Sequence, residues 1–142
     1  MEKILVSACL MGLFCRYDGK SNQSERVKQL QNKYIFIYIC PECEGGLPIP
    51  RNPSEIKNGK VINNIGVDNT CFFVKGAEHA LEIAKKYGIK KAILKSKSPS
   101  CGKGLIYDGS FSKTLINGNG ITAELLINNG IEVYTENEID QL

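Results

Sequence analysis

Six cysteines, at positions 9, 15, 40, 43, 71 and 101, are the residues of this chain with the greatest capacity for chemistry. The amino-terminal segment lacks the basic and apolar regions of a signal peptide, so we expect a cytoplasmic protein. A reducing compartment disfavours structural disulfides and favours cysteines that bind metals, hold clusters or act in catalysis. The cysteines are therefore the first candidates for a functional site.

Cys40 and Cys43 form a CxxC pair, which is typical either of half a zinc site or of a redox dithiol. No second close pair follows, and the C-x₂-C-x₂-C run of bacterial ferredoxins is absent. A third use is also open, because three thiolates on a four-iron cluster would leave one iron free to act as a Lewis acid. Cys15 is a further ligand or a bystander. The spacing alone does not choose among these alternatives.

Apolar and β-branched runs alternate along the chain with stretches of helical periodicity. The stretch 70–87 is the clearest helix, since its apolar residues recur at helical spacing and Gly88 follows as a stop signal. The run 34–39 is continuously apolar, which predicts a strand buried on both faces of a parallel sheet. In all, we predict strands at 3–8, 34–39, 91–94 and 131–134, and helices at 24–33, 70–87 and 122–129.

The segment 40–54 contains four of the five prolines and two adjacent glycines. This composition predicts a long irregular loop that runs over the surface or lines a site. Asn58 and Gly59 follow it between short β-prone flanks, which predicts a compact hairpin. We expect the hairpin to decorate the loop.

Strands separated by helices predict an α/β fold, a single Rossmann-like domain over residues 1–142 in which a mostly parallel sheet lies between two helical layers. In such folds, ligands bind beyond the carboxyl ends of the strands. Cys9 and Cys40 each directly follow a predicted strand, and Cys101 lies in the loop after the third. We therefore expect these three cysteines to gather at one edge of the sheet.

Glu42, Ser98 and Ser100 are polar residues placed close to these cysteines in the chain. Glu42 is two residues from the second cysteine, where a general acid or base would stand near a reacting group. The two serines come just before the third cysteine, and ordinary turn chemistry explains them equally well. Cys71 lies beside two phenylalanines, where we predict packing rather than chemistry.

Composition and charge count against several classes of function. The chain has 142 residues, 42% of them hydrophobic, and a formal net charge of +3 with the signs interspersed. That charge is too small to predict a nucleic-acid partner. The apolar runs are far shorter than the roughly 20 residues of a membrane span, so we expect no membrane partner. No glycine-rich nucleotide motif occurs, and nothing in the pattern indicates an oligomeric state.

Several segments of the chain together resemble the DUF523 family. They are SACLMG at 7–12, CRYDGK at 15–20, ICPECEGGLPIPR at 39–51, the stretch 75–111 with its SPSCG and YDGSF motifs, and GNGITAELLINNGIEV at 118–133. Nearly the whole chain is covered, and this combination of motifs is specific. Within the family, the chain is most similar to the stand-alone thiouracil desulfurases.

The resemblance implies an iron–sulfur enzyme that converts a small thiolated pyrimidine, thiouracil, to uracil and sulfide without net redox change. It implies a [4Fe-4S] cluster bound by Cys9, Cys40 and Cys101. The fourth iron would then be free to bind the substrate sulfur. These are the same three cysteines that the predicted strands bring together.

The resemblance also implies catalytic side chains in two of the motifs. It points to Glu42 in the CPE motif and to a serine of the SPSC motif, with Ser98 as first choice and Ser100 as second. The residues themselves leave two alternatives: a closed structural zinc site formed by Cys9, Cys40, Cys43 and Cys101, and a redox module that cycles the CxxC pair Cys40 and Cys43.

Overall fold

The computed structural model describes all 142 residues and centres on a four-stranded sheet with the order β2-β1-β5-β8. In chain order the strands are β1 (Glu2–Ser7), β2 (Tyr34–Ile39), β3 (Ser54–Lys57), β4 (Lys60–Asn63), β5 (Lys91–Leu94), β6 (Leu105–Tyr107), β7 (Leu115–Asn117) and β8 (Glu132–Thr135). Every pairing in the central sheet is parallel, and Leu5 of β1 lies opposite Ile37 on one side and Ala92 on the other. The predicted α/β class with a mostly parallel sheet is confirmed.

Helices cover both faces of this sheet. In chain order they are α1 (Glu25–Gln29), α2 (Pro41–Glu44), α3 (Thr70–Tyr87) and α4 (Ile121–Asn128), with short 3₁₀ turns at Ala8–Met11, Leu30–Asn32 and Ile139–Gln141. The alternating side chains of β1 enter two cores. Leu5 packs into the cluster that contains residues of α3 and α4, whereas Ile4 and Val6 pack with Val27 of α1. The result is the three-layer arrangement expected from the sequence.

The predicted helix 70–87 is confirmed at both ends, and Gly88 ends it in the left-handed conformation with φ of 65°. The first helix is shorter than predicted, but Ser24 caps it by accepting a hydrogen bond from the Val27 amide at 3.3 Å. The Asn58-Gly59 hairpin is also confirmed. Both residues have positive φ, 52° and 76°, and join β3 to β4.

Three local expectations are wrong. Strand β2 is an edge strand, so it is not buried on both faces: Ile35 and Tyr38 are 41% and 42% exposed. Residues 41–44 form the short helix α2 where we expected only loop, because a proline at the first helical position loses no hydrogen bond. Cys71 is exposed on α3 rather than packed. No helix is long and apolar enough to cross a membrane.

Helix α2 lies directly against the backbone of α3. A Cβ atom on Gly76 of α3 would overlap the carbonyl oxygen of Pro41, and one on Gly45 would overlap the carbonyl oxygen of Phe72. Glycine is required at both positions because the neighbour in each case is backbone, which cannot swing aside. The position of α2, which carries Glu42, is therefore set by the path of α3.

We expect Gly76→Ala to destabilise the protein. In an exposed helix this change would stabilise by up to about 1 kcal/mol, but here the added methyl group meets the Pro41 carbonyl, and overpacking of this kind costs roughly 1–3 kcal/mol. Urea unfolding of the two proteins measures the difference. Glu78→Ala, on the exposed face of the same helix, should leave the midpoint nearly unchanged. A higher midpoint for Gly76→Ala would contradict the close packing.

Candidate active site

The predicted ligand cysteines meet at the carboxyl edge of the central sheet. Cys9 lies in the 3₁₀ turn after β1, Cys40 directly follows β2, and Cys101 lies in the turn after β5. A cavity of about 490 Å³ opens at this edge. It is lined by every residue that the sequence singled out for the site: Cys9, Cys40, Glu42, Ser98, Ser100 and Cys101.

Cys15 also lines the cavity, and the sequence did not decide its role. Its side chain lies within hydrogen-bonding reach of the thiols of Cys9 and Cys40. Its carbonyl oxygen is the acceptor for the Cys40 thiol at 3.8 Å. Cys15 is thus in contact with two of the three predicted ligands, Cys9 and Cys40.

These contacts give the thiols different pKa values. The hydrogen bond from Cys15 lowers the pKa of Cys40 to about 6, although burial acts in the opposite direction. The same side chain lowers the pKa of Cys9, again against burial. The pKa of Cys15 itself is raised, mainly because its proton is held between Cys40 and Cys9. Cys9 and Cys40 are therefore the thiols readiest to become thiolates, which are the form that binds metals.

Cys101 has a different environment. It is 4% exposed, and burial raises the pKa of its thiol to about 12. The polar hydroxyl groups of Ser100, 3.5 Å away, and of Ser7 oppose this rise. Cys101 is protonated in the free protein, and binding of a metal at its sulfur would release that proton.

The SPSCG segment is a tight turn that rests on the start of α4. The Ser98 hydroxyl oxygen accepts hydrogen bonds from the backbone amides of Ser100 at 3.1 Å and Cys101 at 3.0 Å. The Ser100 carbonyl in turn accepts from the amides of Thr122 and Ala123 at 2.8 and 3.1 Å. The turn is therefore fixed to the start of α4, and both serines line the cavity.

Both carboxylate oxygens of Glu42 accept a hydrogen bond. The Ser100 hydroxyl donates to Oε2 at 3.1 Å, and Nε of Arg51 donates to Oε1 at 3.2 Å. The Ser98 hydroxyl lies 2.9 Å from that of Ser100. Since Ser98 already accepts two backbone hydrogen bonds, its own proton is directed to Ser100, and a hydrogen-bonded chain runs from Ser98 through Ser100 to Glu42.

Arg51 is a site residue that the sequence analysis missed. Its side chain is 7% exposed and lines the same cavity. The only available signal was that this arginine ends the proline-rich CPECEGGLPIPR segment, and nothing in that pattern indicates which groups it contacts. Burial acts to lower the pKa of Arg51, but the neighbouring Glu42, Cys43 and Cys40 raise it on balance.

Cys43 does not line the cavity, in contrast to its CxxC partner Cys40. Its sulfur lies 3.7 Å from the Cys15 carbonyl oxygen and 3.6 Å from Nη1 of Arg51. Burial, reinforced by the nearby Cys40, raises the pKa of Cys43 to about 11. The two cysteines of the CxxC pair are therefore unlike in both position and acidity.

Aromatic and charged side chains complete the wall of the cavity. Tyr17, Tyr107 and Phe111 supply flat apolar surface suited to a planar ring. Lys95 also lines the cavity, and its ammonium group is paired with Glu136 at 2.9 Å. The site thus combines thiols, a carboxylate and aromatic faces around one space.

The donor set suits an iron–sulfur cluster. No group of three or more histidine, cysteine, aspartate or glutamate side chains converges closely enough to hold one metal ion. The thiols instead come from three separate loops and surround a cavity, and iron–sulfur clusters are bound by cysteine thiolates at their separate irons. The ligand candidates Cys9, Cys40 and Cys101 fit such a group in chemistry and placement.

A family model described as 2-thiouracil desulfurase matches residues 4–138. The chain belongs to the 2-thiouracil desulfurase family. The solved structure of TudS (DUF523), a [4Fe-4S]-dependent thiouracil desulfidase, is 42% identical in sequence to this chain, with a TM-score of 0.92 and coverage of 100% of this chain and 95% of that chain. The uncharacterized protein YbbK of Bacillus subtilis (strain 168) is 40% identical over 98% of this chain and 99% of its own length. The expected family and fold are confirmed, while the roles of the individual site residues stay predictions.

Glu136 anchors the loop after β5, and its contribution to stability should depend on pH. Burial acts to raise the pKa of Glu136, but hydrogen bonds from Lys95 and from the Ser96 amide, at 2.8 Å, outweigh it and lower the pKa. The ionised form is thus favoured by folding. Its stabilisation is present above the ordinary glutamate pKa of about 4.3 and is lost as pH falls through the lower value of the folded state.

We expect Glu136→Gln to reduce the free energy of unfolding by about 1–2 kcal/mol at neutral pH. The deficit should shrink at acid pH, where the wild-type carboxylate is protonated and is therefore neutral, like the glutamine that replaces it. Urea unfolding at both pH values measures this, with the exposed Glu82→Gln as the matched control. A deficit of equal size at both pH values would argue against the charged contact with Lys95.

Proposed function

We propose that this chain removes sulfur from thiouracil by hydrolysis, using a [4Fe-4S] cluster bound by Cys9, Cys40 and Cys101. Family membership and the similarity to TudS support the reaction and the cofactor. The observation that carries the residue assignment is the position of Ser100. Its hydroxyl lies 3.1 Å from Glu42 Oε2 and 3.5 Å from the Cys101 sulfur, so it joins the acid–base group to the ligand set.

Each of the three ligand thiols lies in the turn or loop that follows a different strand. Cys9 and Cys40 bind readily because their pKa values are lowered, whereas Cys101 loses its proton when it binds. When bound, the cluster supplies one iron without a protein ligand, a Lewis acid for the thiocarbonyl sulfur. The protein's own task is then to position the ring, the attacking water and the proton.

Glu42 is the general base and acid of the proposal. Its carboxylate takes a proton from water as the water oxygen forms a bond to the thiocarbonyl carbon. The C–S bond then breaks as Glu42 returns its proton to the sulfur and the remaining water proton leaves the new carbonyl oxygen for solvent, so the products are uracil, hydrosulfide and a proton. Water supplies both the oxygen and the hydrogen, so no electron donor or acceptor is needed.

The two serines orient the reacting groups. Ser98 is half-buried at the cavity wall and starts the hydrogen-bonded chain that ends at Glu42. When substrate is bound, the Ser98 hydroxyl turns its proton from Ser100 to the ring, where it stabilises the negative charge that develops on the pyrimidine during attack. Ser100 is 2% exposed and fixes the orientation of the carboxylate. The aromatic faces of Tyr17, Tyr107 and Phe111 hold the planar ring.

Anaerobic reconstitution with iron and sulfide tests the function. We expect a brown protein with about four irons per chain, which converts 2-thiouracil to uracil with one sulfide released per uracil. Chromatography of the bases and a colorimetric sulfide assay measure the two products. The same protein without iron is the control and should be inactive. Absence of turnover by fully loaded protein would disprove the proposal.

Cysteine variants test the ligand set. Alanine at Cys9, Cys40 or Cys101 should abolish activity and remove the visible absorbance of the cluster, because each would leave an iron without its thiolate. Cys71→Ser is the matched control, since that cysteine is exposed on α3 and should retain both properties. Full activity in Cys101→Ala would exclude this ligand set.

Cys43→Ser separates the proposal from a redox module built on the CxxC pair. Cys43 lies outside the cavity, so we expect its replacement to leave the cluster and turnover in place. A dithiol that cycles between Cys40 and Cys43 would instead lose all activity. Turnover and iron content of the anaerobic variant are the measurements.

A further inference from the structure

We propose that Arg51 is the positioning residue of this site: it holds the Glu42 carboxylate in its working orientation and ties it to the loop that carries Cys15. The inference rests on the proposed function, because Glu42 is the acid–base group only in that reaction. It is carried by the contacts of one buried guanidinium group with three separate segments of the chain.

Every nitrogen of the Arg51 side chain is engaged. Nε donates to Glu42 Oε1 at 3.2 Å, and Nη2 donates to the Cys15 carbonyl at 2.9 Å. Nη1 donates to the Pro48 carbonyl at 3.1 Å and lies 3.6 Å from the Cys43 sulfur. The group is 7% exposed. A guanidinium whose donors point in fixed directions thus links α2, the proline-rich loop and the Cys15 loop.

The backbone of Arg51 strengthens the same link. Its amide donates to the carbonyl of Tyr17 at 2.8 Å, so the residue binds the loop that carries Cys15 by main chain and side chain together. The Cys15 side chain, in turn, reaches Cys9 and Cys40. Arg51 therefore binds both the Glu42 carboxylate and the loop that carries Cys15, which lies beside the ligand thiols.

Glu42 depends on Arg51 for its orientation. Arg51 occupies Oε1 and Ser100 occupies Oε2, so the carboxylate cannot turn about its last bond without losing a charged or a neutral hydrogen bond. Lysine at this position would keep the charge, but a single ammonium group cannot make the forked set of contacts. A purely structural role would affect folding or cluster content without acting through Glu42.

The test compares anaerobically reconstituted wild type with Arg51→Gln, Arg51→Lys, Glu42→Gln and the Arg51→Gln/Glu42→Gln double variant. Iron and acid-labile sulfide are measured in each. We expect Arg51→Gln to keep its cluster and to lose about 100-fold in kcat, within the range of general acid–base catalysis, with KM within about threefold of wild type. Added guanidinium ion should restore part of the kcat of Arg51→Gln. The kcat of Arg51→Lys should stay below about one tenth of the wild-type value, because a single ammonium group cannot make the same contacts.

The double variant provides the readout that a structural role would not move. If Arg51 acts through Glu42, the double variant should be no slower than Glu42→Gln alone. The inference would be overturned if the losses in kcat of the two single variants multiplied in the double variant. It would also be overturned if the loss of iron from Arg51→Gln accounted for its loss in kcat. Arg26→Gln is the control, because that arginine is 59% exposed and paired only with Asp140 on the opposite side of the fold from α3.

A crystal structure of Arg51→Gln decides the inference without turnover. We expect the Glu42 carboxylate to leave the Ser100 hydroxyl in this variant, and an unmoved carboxylate would overturn the proposal. Loaded wild-type protein that fails to convert thiouracil would refute the proposed function instead. The two failures are therefore distinguishable.

Discussion

Parallel pairing of β1 with its two neighbours determines where the chemistry of this protein is located. Strands that run in one direction end at one edge, so the chain segments after β1, β2 and β5 all begin there. The pairings Ser7 with Ile39 and Val6 with Ile93 set how far apart the loops begin. A slip of one residue would move Leu5 from one core to the opposite face of the sheet. Packing in the two cores therefore fixes the strand register, and with it the position at which each site loop begins.

The thiol groups at this edge differ because their surroundings differ. Cys15 offers its proton to Cys9 and Cys40 and lowers the pKa of both, whereas burial keeps the Cys101 proton in place. The cationic Arg51 lies beside Glu42 and close to the sulfur atom of Cys43. Hydrogen bonds, rather than solvent, thus stabilise charged groups within a partly enclosed space, so one cavity can hold both thiolates and a carboxylate.

Local patterns in the sequence were sufficient for the fold class and for the location of most candidate site residues. Cys9 and Cys40 were placed by the strands that they follow, and the hairpin was placed by Asn58-Gly59. The edge position of β2 was not predictable, because an apolar run does not reveal how many neighbours a strand has. Arg51 and Cys15 were not assigned for a related reason: they are 36 residues apart, and their contact depends on how two loops fold over the sheet.

The direct contact of α2 with the backbone of α3, at Gly45 and Gly76, constrains how the site can diverge in evolution. A side chain added at either glycine would meet backbone, so substitution there is disfavoured and Glu42 keeps its location relative to the sheet. The walls formed by Tyr17, Tyr107 and Phe111 lie on irregular segments or a short hairpin, where replacement is tolerated. Relatives that accept differently shaped heterocycles should therefore vary along those walls, around an unchanging carboxylate.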